Sequence, residues 1–276
     1  MAKTDVLIDA LNYIKHFKGQ IFVVKIGGEV LLDGNVLDAI SEDLILLKFL
    51  GINPILVHGG GVEITREMEK QGKKPKFVQG LRVTDTKTLT IVQKVFKKIN
   101  SRIRTAITKK GGKAVEFPVE SEILFLSEKQ KSKVDIGFVG EIKKINTKLI
   151  KTRVNQGSIP VVSSIGQSKE GVALNINADT AAAELAASLK ASKIIFLTNV
   201  QGVLDKHKNL VKNLTIPEAE KLIESQTASG GMIPKLKACI KALNQKVQSA
   251  HIIQAGGHAL LEEILTSEGT GTMITK

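Results

Sequence analysis

The 276 residues include one cysteine, one tyrosine and no tryptophan, and aromatics make up only 4% of the chain. A lone Cys239 excludes an internal disulfide and any cysteine-based metal site. Scarce aromatics leave few platforms for stacking bases, which weighs against a single-strand nucleic-acid binder. No window approaches the roughly 18 uninterrupted apolar residues of a membrane helix. The first 20 residues carry Asp5, Asp9 and several lysines instead of an apolar stretch, so no secretory signal is expected. These absences lead us to expect a cytoplasmic protein with no membrane or nucleic-acid partner.

What is present is a normal apolar share of 42%. That is enough to bury a core, so a disordered chain is excluded. At about 150 residues per domain, the length fits one large domain or two lobes. Lys and Arg number 40 against 27 Asp and Glu, a net charge of +13. Such an excess fits an anionic ligand or a solvated lysine surface.

Short apolar runs alternate with stretches of helical period. Residues 20–26, 54–58, 159–165 and 193–199 read as strands, and 35–50, the stretch up to Gln71 and 86–110 as helices. Between about 114 and 145, short runs and charges suggest β-hairpins. Strands alternating with helices predict an α/β fold, a mostly parallel sheet covered on both faces.

Five segments carry chemistry. Lys25 ends an apolar run beside Gly27 and Gly28. Glycines let backbone N–H groups approach an anion, and the lysine adds a point charge; a plain strand and turn would look the same. His58-Gly59-Gly60-Gly61 sits between strand and helix, where unshielded amides and a helix N-terminus favour phosphate. It is neither a P-loop nor a GxGxxG fingerprint, and His58 itself reads as structural. Arg82, in GLRVTD, is able to fork onto a carboxylate or to sit on a hairpin surface. In NINADT, Asn177 or Asp179 could cap the Ala-rich helix that follows, or Asp179 could be a buried acid orienting lysines. Gly230-Gly231-Met232-Ile233-Pro234-Lys235 breaks the chain and opens a helix. Ile233, Leu236, Ile240, Leu243 and Val247 share one face of that helix, with Cys239 bordering it as core filler.

Together these segments resemble the amino-acid kinase family, and within it the members that phosphorylate N-acetyl-L-glutamate. VVKIGG, HGGG, GLRVTD, GFVGEI, IPVVSSIG, NINADT, IIFLTNVQGVLD and GGMIPK occur in the family's order and cover nearly the whole chain. ALNYIKHFKGQIFVVKIGG (10–28) and HALLEEILTSEGTGTMI (258–274) resemble the N-terminal helix and C-terminal effector segment of ring-forming, arginine-inhibited members. Three departures stand out: Val62 where many members have proline, no Gly-x-Asp-Gly in 114–126, and Gln254-Ala255-Gly256-Gly257 in place of a frequent Asp-Gly-Arg.

The resemblance implies a three-layer α-β-α sandwich in two lobes. Residues 1–172 would bind the acyl-glutamate and dimerise, and 173–276 would bind the nucleotide. It implies that ATP with Mg²⁺ phosphorylates the side-chain carboxylate of N-acetyl-L-glutamate, a step of arginine biosynthesis. Lys25 and Lys235 would stabilise the transferring and leaving phosphates, with Asp179 holding both. Gly27, Gly28, Gly59 and Gly60 would donate amides to the phosphoryl oxygens. Arg82 and Asn175 would bind substrate beside Gly59 and Gly60. Thr198, Asn199, Gly202, Leu204 and Lys235 would meet the nucleotide. No carboxylate cage for the metal is apparent, so ATP and water would hold it. Arginine near Glu263, Gly269 and Gly271 would be a feedback effector of a dimer or a trimer of dimers. The alternatives are another carboxylate or carbamate kinase of this fold, or a non-catalytic effector-binding member.

Overall fold

A computed structural model describes residues 3–117, 123–266 and 269–276. Part of the 114–126 segment, and Ser267 and Glu268 of the C-terminal segment, lie outside the described residues. The first half of the chain runs α1 (Lys3–Phe17), β1 (Ile21–Ile26), a 3₁₀ turn (Val30–Leu32), α2 (Gly34–Phe49), β2 (Asn53–His58) and α3 (Gly61–Lys70). Then come β3 (Phe77–Val78), β4 (Leu81–Arg82), α4 (Thr86–Lys109), β5 (Ala114–Glu116), β6 (Phe125–Lys129) and β7 (Gly140–Ile145). Next are α5 (Thr147–Asn155), β8 (Ile159–Ser163), β9 (Ile165–Gln167), β10 (Ala173–Asn175), α6 (Ala178–Leu189) and β11 (Lys193–Thr198). The chain closes with β12 (Asn213–Thr215), α7 (Ile216–Glu224), α8 (Met232–Asn244), β13 (Ser249–Gln254), α9 (Ala259–Leu265) and β14 (Thr272–Thr275).

The main sheet has eight strands in the order β12-β14-β13-β11-β1-β2-β8-β5. Every pairing in it is parallel except β13 with β14. Side chains of a strand alternate between faces, and β1 shows what that does here. Phe22, Val24 and Ile26 enter one core with residues of α2, α4 and α9. Val23 enters the other, with residues of α5, α6 and α8. Helices therefore cover both faces, which is the expected three-layer α/β architecture.

Most predicted elements fall within a residue or two of their observed ends. The 159–165 run does not. It is two strands broken at Ser164: β8 lies in the main sheet, whereas β9 joins β10, β6 and β7 in a second, four-stranded sheet. A run buried on all sides carries no periodic mark of such a break. Of the expected hairpins, β6 and β7 form one, while β5 is a parallel edge strand beside β8. On α8, Cys239 lies at the centre of the buried face, between Leu236 and Leu243, not at its border. Burial pushes its thiol pKa well up, so it is inert filler.

Helix α4 begins where Asp85 caps it, its Oδ1 accepting from Thr88 N at 2.9 Å. Lys73 pairs with the same carboxylate. The Lys73 ammonium and the Thr88 amide hold the Asp85 pKa at about 2. A depressed carboxyl pKa stabilises above the unfolded value, about 3.9, and that contribution fades as pH falls toward the folded one. Asp85→Ala is expected to cost about 1 kcal/mol in urea unfolding at pH 7. The gap from the parent should narrow between about pH 4 and 2; an undiminished gap there would contradict the assignment.

Candidate active site

Parallel sheets place their ligand sites at the carboxyl ends of the strands. Lys25, His58 and Thr198 sit at or one residue from the ends of the neighbouring strands β1, β2 and β11. Above these ends opens a cleft of ≈410 Å³. Its lining includes Lys25, Gly27, Gly28, Gly59, Gly60, Arg82, Asn175, Asp179, Thr198, Asn199 and Lys235. Residues far apart in the chain are thus gathered onto one wall.

The floor is a buried ion triad. Lys25 follows Val23 by two positions, so it leaves β1 on the α6 face. There its Nζ lies 2.7 Å from Asp179 Oδ1 in the first turn of α6. Lys235, in the first turn of α8, brings Nζ to 3.5 Å from Asp179 Oδ2 and 3.3 Å from the Gly231 carbonyl. Asn177 is the cap of α6, accepting from Thr180 N at 3.0 Å, which leaves Asp179 free for the lysines. Burial pushes the Asp179 pKa up, but the two ammonium groups outweigh it and hold it below the ordinary value. Burial lowers the Lys235 pKa, partly offset by Asp179.

The glycine loops are close-packed. A Cβ on Gly60 would meet Phe96 Cε1 and Ile99 Cδ1 of α4 at 3.0 Å. One on Gly59 would meet Ala178 Cβ at 3.2 Å. Two of the four expected amide donors are already engaged: Gly27 N donates to the Leu197 carbonyl at 3.2 Å and Gly59 N to Ile26 at 3.4 Å. Among the described residues, the Gly28 and Gly60 N–H groups have no protein acceptor. They join the free first-turn amides of α3.

Arg82 is buried and donates to the Gly61 carbonyl and Thr65 Oγ1, both at 2.8 Å. Its guanidinium stacks 4.8 Å from the Phe77 ring. No carboxylate among the described residues pairs with it, so the charge faces the cleft uncompensated. Asn175 is steadied by a 3.1 Å bond to Thr84 Oγ1.

Gly202 and Leu204 do not line the cleft. Gly202 packs where a Cβ would come within 2.6 Å of Thr272 Oγ1, and Leu204 bridges to Leu210 in a surface turn. Glu263, Gly269 and Gly271 also lie outside the cleft, in a cluster of their own. Glu263 Oε1 is 2.6 Å from His251 Nδ1, and Oε2 accepts from the amides of Thr270 (2.7 Å) and Gly271 (3.2 Å). Lys193 Nζ lies 3.1 Å from His251 Nε2 and 5.0 Å from the Phe17 ring at the end of α1. Sequence reading missed Lys193 and His251, since Lys193 opens a strand that reads as core and His251 lies in β13, which carried no motif. Among the described residues, no group of three acidic, histidine or cysteine side chains could hold a metal, and no helix is long and apolar enough to cross a membrane.

A family model described as the Amino acid kinase family matches residues 20–254, and the chain belongs to that family. It is similar to the acetylglutamate kinase of Methanocaldococcus jannaschii, at 46% identity covering 99% of this chain and 96% of the relative. Among solved structures it is similar to the N-acetylglutamate synthase of Neisseria gonorrhoeae complexed with coenzyme A and N-acetyl-glutamate. That match has a TM-score of 0.92 at 28% identity, and covers all of this chain but 64% of the other. The same synthase with coenzyme A and L-arginine matches with a TM-score of 0.92 at 27% identity, covering 100% of this chain and 66% of that one.

Removing the charge at Asp179 would leave two lysines facing each other. Asp179→Asn is expected to cost about 2 kcal/mol at pH 7, below the 3–5 of a fully enclosed pair because Lys235 opens on the cleft. Its pKa is depressed, so this contribution is present above about pH 4 and is lost on acidification below it. Urea unfolding of both proteins measures it, and equal stability at pH 7 would refute the compensating role.

Proposed function

We propose that this chain transfers the γ-phosphoryl group of ATP to the side-chain carboxylate of N-acetyl-L-glutamate, a step of arginine biosynthesis, giving N-acetyl-L-glutamyl 5-phosphate and ADP. The observation that carries the reading is the Lys25–Asp179–Lys235 triad under a cleft whose other buried cation, Arg82, lacks a counter-charge. The acetylglutamate kinase relative supports the substrate.

The acceptor carboxylate is already ionised near neutral pH and needs no general base. The protein must align two anions and balance charge on the equatorial phosphoryl oxygens. Lys25 does this from the side of the acceptor and Lys235 from that of the leaving phosphate. Asp179 fixes both ammonium groups at once. Gly28 and Gly60 donate amides to the phosphoryl oxygens, and Gly27 and Gly59 allow the close approach. Arg82 and Asn175 take the substrate's α-carboxylate and acyl end. Thr198 and Asn199 take the nucleotide, with Gly202 and Leu204 shaping its loop from behind. Residues 1–172 form the acyl-glutamate lobe and 173–276 the nucleotide lobe.

Mg²⁺ would be held chiefly by the ATP phosphates and water, and would supply positive charge at the phosphoryl oxygens. The lining fits this, with Glu29 as the cleft carboxylate not engaged by the lysines.

Lys25→Ala and Lys235→Ala should each lower kcat by orders of magnitude, whereas Arg82→Ala should chiefly raise KM for the acyl-glutamate. A hydroxamate assay for acyl phosphate measures both, and ADP release with aspartate, carbamate and UMP tests the rival acceptors. No acyl phosphate from millimolar N-acetylglutamate would favour the non-catalytic, effector-binding alternative.

The Glu263 cluster supports L-arginine as a feedback effector, held near Glu263, Gly269 and Gly271 beside the end of α1. The arginine complex of the N. gonorrhoeae synthase adds support. Activity titrated with arginine should fall at millimolar concentrations, and Glu263→Gln should blunt that response; unaltered turnover throughout would dismiss the effector.

A further inference from the structure

His58 has no part in the chemistry above, yet it is fully buried directly before the phosphate-facing glycines. Its ring stands edge-on to Phe96 of α4, centroids 5.6 Å apart. Nε2 lies 2.6 Å from Oδ1 of the Asn100 side-chain amide, also on α4 and also buried. Nδ1 lies 3.1 Å from the Gly59 carbonyl oxygen. Burial, aided by the nearby Arg102 guanidinium, disfavours the charged ring and outweighs the hydrogen bonds that favour it.

A neutral imidazole has one donor nitrogen and one acceptor nitrogen. The Gly59 carbonyl only accepts, so that contact is a bond only if the proton sits on Nδ1. Nε2 must then accept, and the partner facing it must donate. A half-turn of the Asn100 amide places its NH₂ there, since the two ends of that group occupy equivalent positions. One arrangement therefore satisfies every group: Asn100 NH₂ to His58 Nε2, and His58 Nδ1–H to the Gly59 carbonyl.

The Gly59 carbonyl shares its peptide unit with the Gly60 N–H, which has no protein acceptor among the described residues. A donor on the carbonyl polarises that unit and strengthens the N–H at its other end. We infer that Asn100 is a positioning residue that fixes the His58 tautomer and, through the Gly59–Gly60 peptide, aims and strengthens an amide donor to the transferring phosphoryl group. Other contacts brace the same loop against α4. Phe96 and Ile99 press on Gly60, and Arg102 pairs with Glu63 of α3 at 2.5 Å. The inference rests on the phosphoryl-transfer reading, but its structural half does not depend on it.

The test has two arms on the full chain. In ¹⁵N NMR of the unsubstituted protein, the assigned His58 ring should carry its proton on Nδ1, the minor tautomer of free histidine. In kinetics, Asn100→Leu should lower kcat about tenfold, short of the roughly 10²–10³-fold cost of deleting a whole donor. KM for N-acetylglutamate should stay within about twofold, because substrate-binding groups are untouched. Asn100→Asp should lose less turnover, since a carboxylate draws a second proton onto Nε2 while Nδ1–H still reaches Gly59. Its spectrum should show both ring nitrogens protonated at neutral pH. A proton on Nε2 in the parent, or unchanged kcat in Asn100→Leu, would overturn the inference. If the parent forms no acyl phosphate, the functional reading fails, and the tautomer still decides this one.

Discussion

Two ammonium groups do not share a buried wall unless a carboxylate stands between them. This constraint organises the fold around Asp179. The three charges come from β1, α6 and α8, so β1 must be an interior strand and the two helices must pack together on one face of it. They do so in the core that holds Val23, Ala182 and Leu236. The start of α6 is set by Asn177, whose capping bond leaves the Asp179 side chain to the lysines. Each local device, whether strand alternation, cap or first-turn lysine, is ordinary. Only their coincidence makes a site.

On the opposite face the same economy applies to α4. The helix is 24 residues long and would serve as plain cover for the sheet. Its inward face instead presents Phe96, Ile99 and Asn100 to the HGGG segment. That proximity favours glycine at 60, since a Cβ there would sit 3.0 Å from two α4 side chains, which would have to yield. The HGGG loop is therefore held between β2 and α4, and its rigidity comes from packing as well as from hydrogen bonds. Preorganisation of this kind is what electrostatic stabilisation of phosphoryl transfer demands.

Strands β1, β2, β8 and β11, helices α2, α3, α4, α6 and α8, and the glycines and charges of the cleft were legible in the sequence because each has a local signature: an apolar run, a 3.6 period, a glycine cluster beside a charge. What stayed hidden is non-local. The break at Ser164 depends on which sheet each half joins, and nothing in IPVVSSIG records it. Glycines advertise exposed amides, but only the register of β1 against β11 shows that Gly27 N is engaged by Leu197, and a neighbouring strand likewise engages Gly59. Arg82 was legible as a carboxylate ligand; its lack of any internal partner was not. Lys193 read only as the start of a strand and His251 carried no reading at all, so nothing marked the charged cluster that tertiary packing builds around Glu263.

Strand β11 links that cluster to the cleft. Lys193 begins β11 and Thr198 ends it, a span of about 17 Å at 3.3 Å per residue. The strand is hydrogen-bonded on both sides, to β1 and β13, with no irregularity in either register, so it moves as a rigid body if it moves at all. An effector seated at Glu263 would have no flexible path to the cleft along this route. Its leverage must come from elements that meet the cluster at their own ends, namely α1 through Phe17 and the C-terminal segment through Thr270 and Gly271. Coupling between sites needs an element with two arrangements that both ligands bias. The end of α1, where Phe17 meets the Lys193 ammonium at 5.0 Å and the Phe22 ring at 5.1 Å, is a better candidate for that element than a strand paired on both sides.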